Sequence, residues 1–394
     1  MQDPLIEDIR AWQDEFTTLR RDIHMHPELA FEEHRTADIV ATLLRDWGLD
    51  VTTGIARTGV VGTLRSGSGN RAIGLRADMD ALPLQELNEF GHKSKTQNCM
   101  HACGHDGHTT MLLAAAKYMA QKPGFDGVVH FIFQPAEENE GGGRAMIEDG
   151  LFERFPCEAV FGMHNMPGYP VGSFAMRPGP MMASFDRFDI TLRGIGAHAA
   201  MPHHGIDPIV VTSELVQSLQ AIVGRNMDPL KSGVVSVTKF HAGDAYNVIP
   251  NEASIAGCTR AFQPKVRDML EAHIERHAKG VAAAHGAEAM VSYERCYPPT
   301  VNTVDETELC AEVATKLVGA EHVNRNVVPT MGSEDFAFML EKKPGCYIFA
   351  GNGDGEGTCM VHNPRYDFND EVTPFGAAYW VRLAETALPA EKAA

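Results

Sequence analysis

Four short apolar runs, residues 72–77, 127–133, 159–163 and 346–350, alternate with stretches of helical periodicity. Runs this short, bounded by turn residues, read as strands buried on both faces, and strands alternating with helices make an α/β domain. Three of the runs lead directly into side chains that bind cations or protons: Asp78 and Asp80, Glu137 and Glu138, and His164. Open α/β sheets hold ligands beyond the carboxyl ends of their strands, so residues far apart in sequence converge there. That constraint fixes where a site must lie.

The remaining pattern adds a second domain. Helices are expected over 5–24, 32–47 (closed by Gly48) and 107–119, with a strand at 60–64 before the Ser66-Gly67-Ser68-Gly69-Asn70 turn. The middle differs. Phe188, Ile190 and Leu192 alternate in a strand over 187–193, and Asp207-Pro208 supplies an N-cap and an N1 proline for a helix to about 225. Strands over 234–240 and 252–261, a helix over 264–285 and a strand over 288–293 complete a β-α-β-β-α-β order, that of ferredoxin-like domains. The expected fold is α/β: a mixed-sheet domain from 1–183 and 296–394, with a ferredoxin-like module inserted over 184–295.

Charge and composition exclude several classes. With 34 basic and 52 acidic residues the chain carries −18, which argues against nucleic acid and anionic membranes as partners. No basic segment followed by an apolar stretch opens the chain, and no apolar run of about 18 residues exists. The eight cysteines show no framework spacing and are expected to be thiols in a cytoplasmic protein.

Cys103-Gly104-His105-Asp106-Gly107-His108 is the densest chemical motif. Alone it is as well read as a buried cysteine beside a helix-start histidine. Glu137-Glu138 alone is better read as a solvated pair, and His362 as a loop residue. Thiolate, imidazole and carboxylate at matching strand and helix ends are, however, the donor set of zinc-like ions. A second carboxylate beside a ligand is what metal-assisted hydrolysis needs as proton carrier. His24 and His26 read as structural or supporting groups, and His101 and His108 as hydrogen-bonding neighbours of the ligands. Glu140-Gly141-Gly142-Gly143 and Gly351-Asn352-Gly353-Asp354-Gly355 lack the phosphate-loop and dinucleotide contexts and read as turns. Gly194-Ile195-Gly196-Ala197-His198 presents a histidine just after two glycines that allow close approach. Asn247 is unremarkable in isolation; Arg260 could grip a carboxylate.

Together these segments resemble the M20 metallopeptidase family in its amidohydrolase branch, which holds hippurate hydrolases, aminoacylases and auxin-conjugate hydrolases. The resemblance rests on Met100–Thr109, Leu75-Arg76-Ala77-Asp78-Met79-Asp80-Ala81-Leu82-Pro83, Phe133-Gln134-Pro135-Ala136-Glu137-Glu138 and Gly162-Met163-His164, and on Gly196–Pro202, Asn247-Val248-Ile249-Pro250 and Gly332-Ser333-Glu334-Asp335-Phe336. It implies Cys103, His105, Glu138, His164 and His362 as ligands of two divalent ions, zinc or manganese, with cobalt and nickel as further candidates. It implies Glu137 as catalytic base, the inserted module as a lid or dimerisation domain, and a homodimer or dimer of dimers. Peptidase members carry His-x-Asp where this chain has Arg76-Ala77-Asp78, and a bridging Asp where it has Cys103. Asp78 is then expected to orient a ligand from behind.

The expected reaction is hydrolysis of the amide of an N-acyl-L-amino acid, hippurate-like conjugates included. Glu137 takes the proton of water and returns it to the leaving amine, His198 stabilises the oxyanion, and Asn247 and Arg260 hold the amino acid's carboxylate. A metallo-dipeptidase is the nearest alternative. A non-catalytic metal- or conjugate-binding protein is disfavoured because Glu137 is present. A cysteine hydrolase using Cys103 and His105 lacks an orienting third group.

Overall fold

The computed structural model describes residues 3–138, 140–353 and 359–390. It contains two compact units: residues 1–181 with 301–328 and 335–394, and residues 182–300 with 329–334.

The first unit is built on one eight-stranded sheet. Its order is Asp50–Ile55, Gly59–Ser66, Gly127–Gln134, Ala72–Asp78, Ala159–Met166, Gly345–Gly351, Phe174–Ala175, Val323–Asn324. The four strands from Gly127–Gln134 to Gly345–Gly351 run parallel to one another, and the Asp50–Ile55/Gly59–Ser66 hairpin adds antiparallel strands at one edge. Three of the four are buried at every position and the fourth at all but its last residue, the state that makes a strand read as an unbroken apolar run. The helices His105–Gln121 and Thr373–Ala387 pack in the same apolar core, with Trp380 fully buried. Burying Trp, Phe and Leu side chains of this size contributes roughly 1.5–3 kcal/mol each.

Parallel register puts Asp78 level with Gln134. The chain beyond each strand therefore leaves on the same edge of the sheet, and Asp80, Glu137 and His164 meet there. His105 starts its helix next to Gly104, which has φ +93°; a Cβ there would lie 2.2 Å from Asn165 Oδ1, so only glycine lets the chain turn this close.

The second unit has a four-stranded antiparallel sheet in the order Gly233–Ala242, Glu252–Ala261, Phe185–Arg193, Glu288–Tyr297. The helices Pro208–Ala221 and Pro264–Ala284 share its core through Leu215, Leu219, Leu270 and Ile274. Asp207 caps the first by accepting the Ile209 N–H at 2.9 Å, as its sequence position predicts. Chain order and strand order together are those of the split βαβ arrangement.

Some expectations need correction. The single helix expected over 5–24 is two, Pro4–Arg10 and Gln13–Met25. At Trp12 the N–H bonds Ile9 O, a tighter turn than the α-helix, and the indole lies 6.1 Å from the Tyr118 ring. Glu140–Gly143 is not a plain turn, because Gly141 (φ +71°) opens the helix Gly142–Glu148. Asp354 and Gly355 lie outside the described residues. Among those residues no helix is long and apolar enough to cross a membrane.

A buried polar clamp ties the Gln13–Met25 helix to the start of His105–Gln121. Arg20 Nη1 donates to Asp106 Oδ2 at 3.3 Å, and His24 Nδ1 to the same oxygen at 2.8 Å, while His24 Nε2 faces Glu86 at 3.3 Å. Burial by itself would lower the pKa of His24, but the bond and charge of Asp106, with Glu86, raise it to about 9. The folded value therefore lies above the ordinary 6.5. The stabilisation is complete below about pH 6.5 and is lost as pH rises through about 9, to a total of up to about 3 kcal/mol. Urea unfolding of the parent and of His24→Gln at pH 6 and pH 9.5 checks this. The parent should lose more stability across the interval than the variant; equal losses would contradict the clamp's charge state.

Candidate metal centre

The carboxyl edge of the sheet in the first unit gathers the cysteine, histidines and carboxylates singled out above. Ligand atoms of Cys103, His105 and His164 lie within 4.8 Å of one another, as do those of Cys103, Glu138 and His362, so both triads contain the Cys103 sulfur. Glu137 stands with His105 and Glu138 in a third such group. All are buried or nearly so except His362, whose side chain is about half exposed.

The hydrogen bonds fix which atoms face the centre. Nδ1 of His105 donates to Asp80 Oδ1 at 3.2 Å, leaving Nε2 buried without a hydrogen-bond partner. Nδ1 of His164 donates to Asn165 O at 2.6 Å, leaving Nε2 at 3.2 Å from Cys103 Sγ. A histidine held through one nitrogen by an acceptor presents the other to a metal. Glu138 Oε1 is also buried without a hydrogen bond, although His362 Nε2 stands 3.1 Å away out of line. His362 itself has φ +65°, a left-handed backbone that a residue with a side chain seldom adopts, and its N–H is tied to Ala102 O at 2.7 Å.

Charge points the same way. Asp78, Asp80, Glu137 and Glu138 crowd a site whose buried fixed cation is Arg76. Burial, with the charges of Glu138, Glu137 and Asp78, pushes the Cys103 thiol well above its ordinary range. Burial would lower His105, but Asp78 and Asp80 outweigh it and raise it to about 10, so Nε2 carries a proton that a bound cation would displace. His164 is lowered by burial and by His108, and stays neutral. Two orphaned buried donor atoms, a sulfur, imidazole lone pairs and surplus negative charge fit divalent cations of the zinc type.

His108 has both ring nitrogens engaged, by Asp78 Oδ1 at 2.6 Å and by Asn165. His101 departs from expectation: it is fully buried, neither ring nitrogen has a hydrogen-bond partner, and burial lowers its pKa to about 4. His24 belongs to the helix clamp, and His26 bonds Asp22 O. Asp78 holds His108 and Arg76, and stands 3.7 Å from His105 Nε2. Asp80 was given no role from sequence, yet it does more. It accepts from His105 and from the N–H groups of Glu137 and Glu138, at 3.0 and 2.9 Å. The available signal was its spacing, since Asp78 and Asp80 two residues apart share one side of an extended chain.

Behind Asp78, the buried Arg76 donates to Gln134 Oε1, Asp78 Oδ2 and Asp335 Oδ1 at 2.8, 2.7 and 3.0 Å. The Asp335 N–H points at Glu137 Oε1 at 3.4 Å.

His198, Asn247 and Arg260 lie in the second unit. His198 pairs with Val248 in a two-residue ladder, and Ala199 N–H donates to Asn247 O. Ala200 N–H donates to His198 Nδ1 at 3.0 Å, which leaves Nε2 as the protonated, exposed nitrogen. The guanidinium of Arg260 bonds Ser333 Oγ at 2.9 Å and lies 4.3 Å from the Phe185 ring centroid.

Comparison with known proteins agrees with this geometry. The pattern of Peptidase family M20/M25/M40 matches residues 74–386. A hippurate hydrolase of Campylobacter jejuni is 45% identical over 96% of this chain and 98% of its own length. An N-acetylcysteine deacetylase of Bacillus subtilis is 37% identical over 95% and 97%. Among solved structures, the YXEP protein of Bacillus subtilis, described as a dinuclear metal binding peptidase, superposes with a TM-score of 0.84. It is 34% identical, with 96% of this chain and 99% of that one covered. The chain belongs to peptidase family M20/M25/M40 and is one of its metal-dependent amidohydrolases.

Proposed function

We propose that the chain hydrolyses the amide bond of N-acyl-L-amino acids, of which hippurate is the type, at a site for two divalent cations. The observation that carries this reading is the pair of triads sharing Cys103, with Glu137 beside them. Cys103, His105, Glu138, His164 and His362 would hold the cations, zinc or manganese. Cobalt or nickel would fit the same donors less distinctively. Bound there, divalent cations supply Lewis acidity toward the acyl carbonyl and acidify water.

The protein's own groups do the rest. Glu137 accepts a proton from the attacking water as the C–O bond forms, then delivers it to the amine nitrogen as the C–N bond breaks, giving a carboxylic acid and an amino acid. His198 would donate its Nε2–H to the oxygen that gains charge. Asn247 and Arg260 would hold the carboxylate of the amino acid. His198 can serve a neighbouring subunit's site if the second unit is a lid and dimerisation module, and we infer a homodimer on that ground. Buried cysteines that form no disulfide, Cys99, Cys103, Cys157, Cys296, Cys310 and Cys346, support a cytoplasmic setting.

Substrate class is tested with a panel of hippurate, N-acetyl amino acids, indole-acetyl conjugates and dipeptides. The N-acyl compounds should have the highest kcat/KM; preference for dipeptides would favour the peptidase alternative. For the site, reconstituted protein should bind about two equivalents of metal, and a value that stays at one overturns the two-cation reading. Glu137→Gln should keep the metal and lose roughly 10²–10⁴ in kcat. Near-parental turnover with both cations bound would remove Glu137 from its role. His198→Ala should lower kcat by roughly 10²–10³ with metal intact. Mixing it with Glu137→Gln should restore activity if His198 works across subunits, and no recovery despite demonstrated exchange refutes sharing.

A further inference from the structure

Three successive backbone N–H groups, those of Ala136, Glu137 and Glu138, are each captured by a buried carboxylate. Asp80 takes the second and third. The first goes to a different residue: Ala136 N–H donates to Glu33 Oε1 at 2.8 Å. Glu33 is fully buried, directly before the helix His34–Asp46. Its Oε1 also accepts Phe31 N–H at 3.0 Å, and Thr58 Oγ1 donates to Oε2 at 2.5 Å.

What Glu33 holds is a conformation the chain would otherwise avoid. Ala136 has φ +54°, in the left-handed region that alanine rarely enters. On its other side Ala136 O accepts Gly142 N–H at 2.9 Å, and Gly142 must lack a side chain because a Cβ there would lie 1.7 Å from Pro135 O. The reversed residue directly precedes Glu137, so the direction of the Glu137 side chain depends on it. Strain of this kind persists only where the surroundings over-determine it.

We propose that Glu33 is a positioning residue for Glu137: by accepting the Ala136 N–H it holds the left-handed turn that aims the base. The inference rests on the reading of Glu137 as base. Glu33 touches no substrate, and its effect is exerted through one backbone amide. Burial pushes its pKa up to about 7, with Thr58 opposing that and Asp80 adding to it, so the carboxyl is partly neutral near pH 7 and a neutral isostere tests the contact. Gln is therefore the conservative replacement. Its Oε1 can accept both amides, and its NH₂ can face Thr58 Oγ1.

The test uses the metal-reconstituted full chain. Glu33→Ala should lower kcat by roughly 10–10², with KM within about 3-fold and metal content unchanged, as misplacing a catalytic group does. Glu33→Gln should recover most of that loss. In the cation-free protein, hydrogen exchange of the peptide spanning 135–138 should be faster in Glu33→Ala and slow again in Glu33→Gln. In a Glu137→Gln background, Glu33→Ala should cost less than about 3-fold more, because the two act as one unit. If Glu33→Ala does not fold, Glu33→Asp is measured instead; it draws the carboxylate back by one carbon and should lower kcat about 10-fold. Parental kcat in the folded variant, or a full additional loss without Glu137, overturns the proposal. Near-parental activity of Glu137→Gln itself would instead overturn the base reading.

Discussion

Crowded negative charge out of water is the constraint that the rest of the centre answers. Asp78, Asp80 and Glu137 are buried and Glu138 nearly so, within reach of Cys103 and three imidazoles. Carboxylates gathered in a dry site repel one another and lose hydration, and a folded chain tolerates them only with donors and cations in place. Arg76 is the chain's own contribution. Placed in the middle of a fully buried strand, it offsets Asp78 and Asp335 directly. The oxygens of Asp80 are satisfied by two amides and an imidazole. What stays unsatisfied, His105 Nε2 and Glu138 Oε1, is the part that divalent cations complete.

The same arrangement sorts residues that look alike in sequence. Three histidines fall within Met100–Thr109, and their hydrogen bonds separate them. His105 leaves one nitrogen without a hydrogen bond, His108 has both engaged, and His101 has neither engaged and is buried where its charged form is disfavoured. The two glutamates also diverge. Glu138 turns an oxygen without a hydrogen bond toward the donors, whereas Glu137 Oε1 takes a backbone N–H from Asp335. Ligand and base thus follow from where the backbone places neighbouring side chains, and that backbone is held by Asp80 and Glu33.

The surrounding fold makes this placement rigid. Cys103 and His105 are joined through Gly104, close against Asn165, and the helix that follows is anchored by Arg20 and His24 at Asp106. Asn165 in turn bonds His108 and the Tyr366 hydroxyl. Cys103, His105 and His164 therefore sit at a helix start and a strand end that these contacts hold. Such supporting contacts hold ligands in place and tune them.

The amino-acid sequence by itself determined the strand and helix alternation, the carboxyl-end location of the site and the identity of its chemical groups. It could do so because strands buried on both faces are mostly apolar, and the polar residues that follow them stand out. The N-cap at Asp207 was equally legible, being a contact between near neighbours. Only the tertiary structure decided which polar groups face the centre. Arg76 reads as an anomaly in an apolar run until Asp335 is brought beside it. Glu33 reads as a helix-start acid until Ala136 arrives. His101 looks like its neighbours until its lack of partners is seen. These contacts join residues far apart in the chain, and sheet order and loop course set them, whereas residue type and local spacing determine only what lies within a few positions.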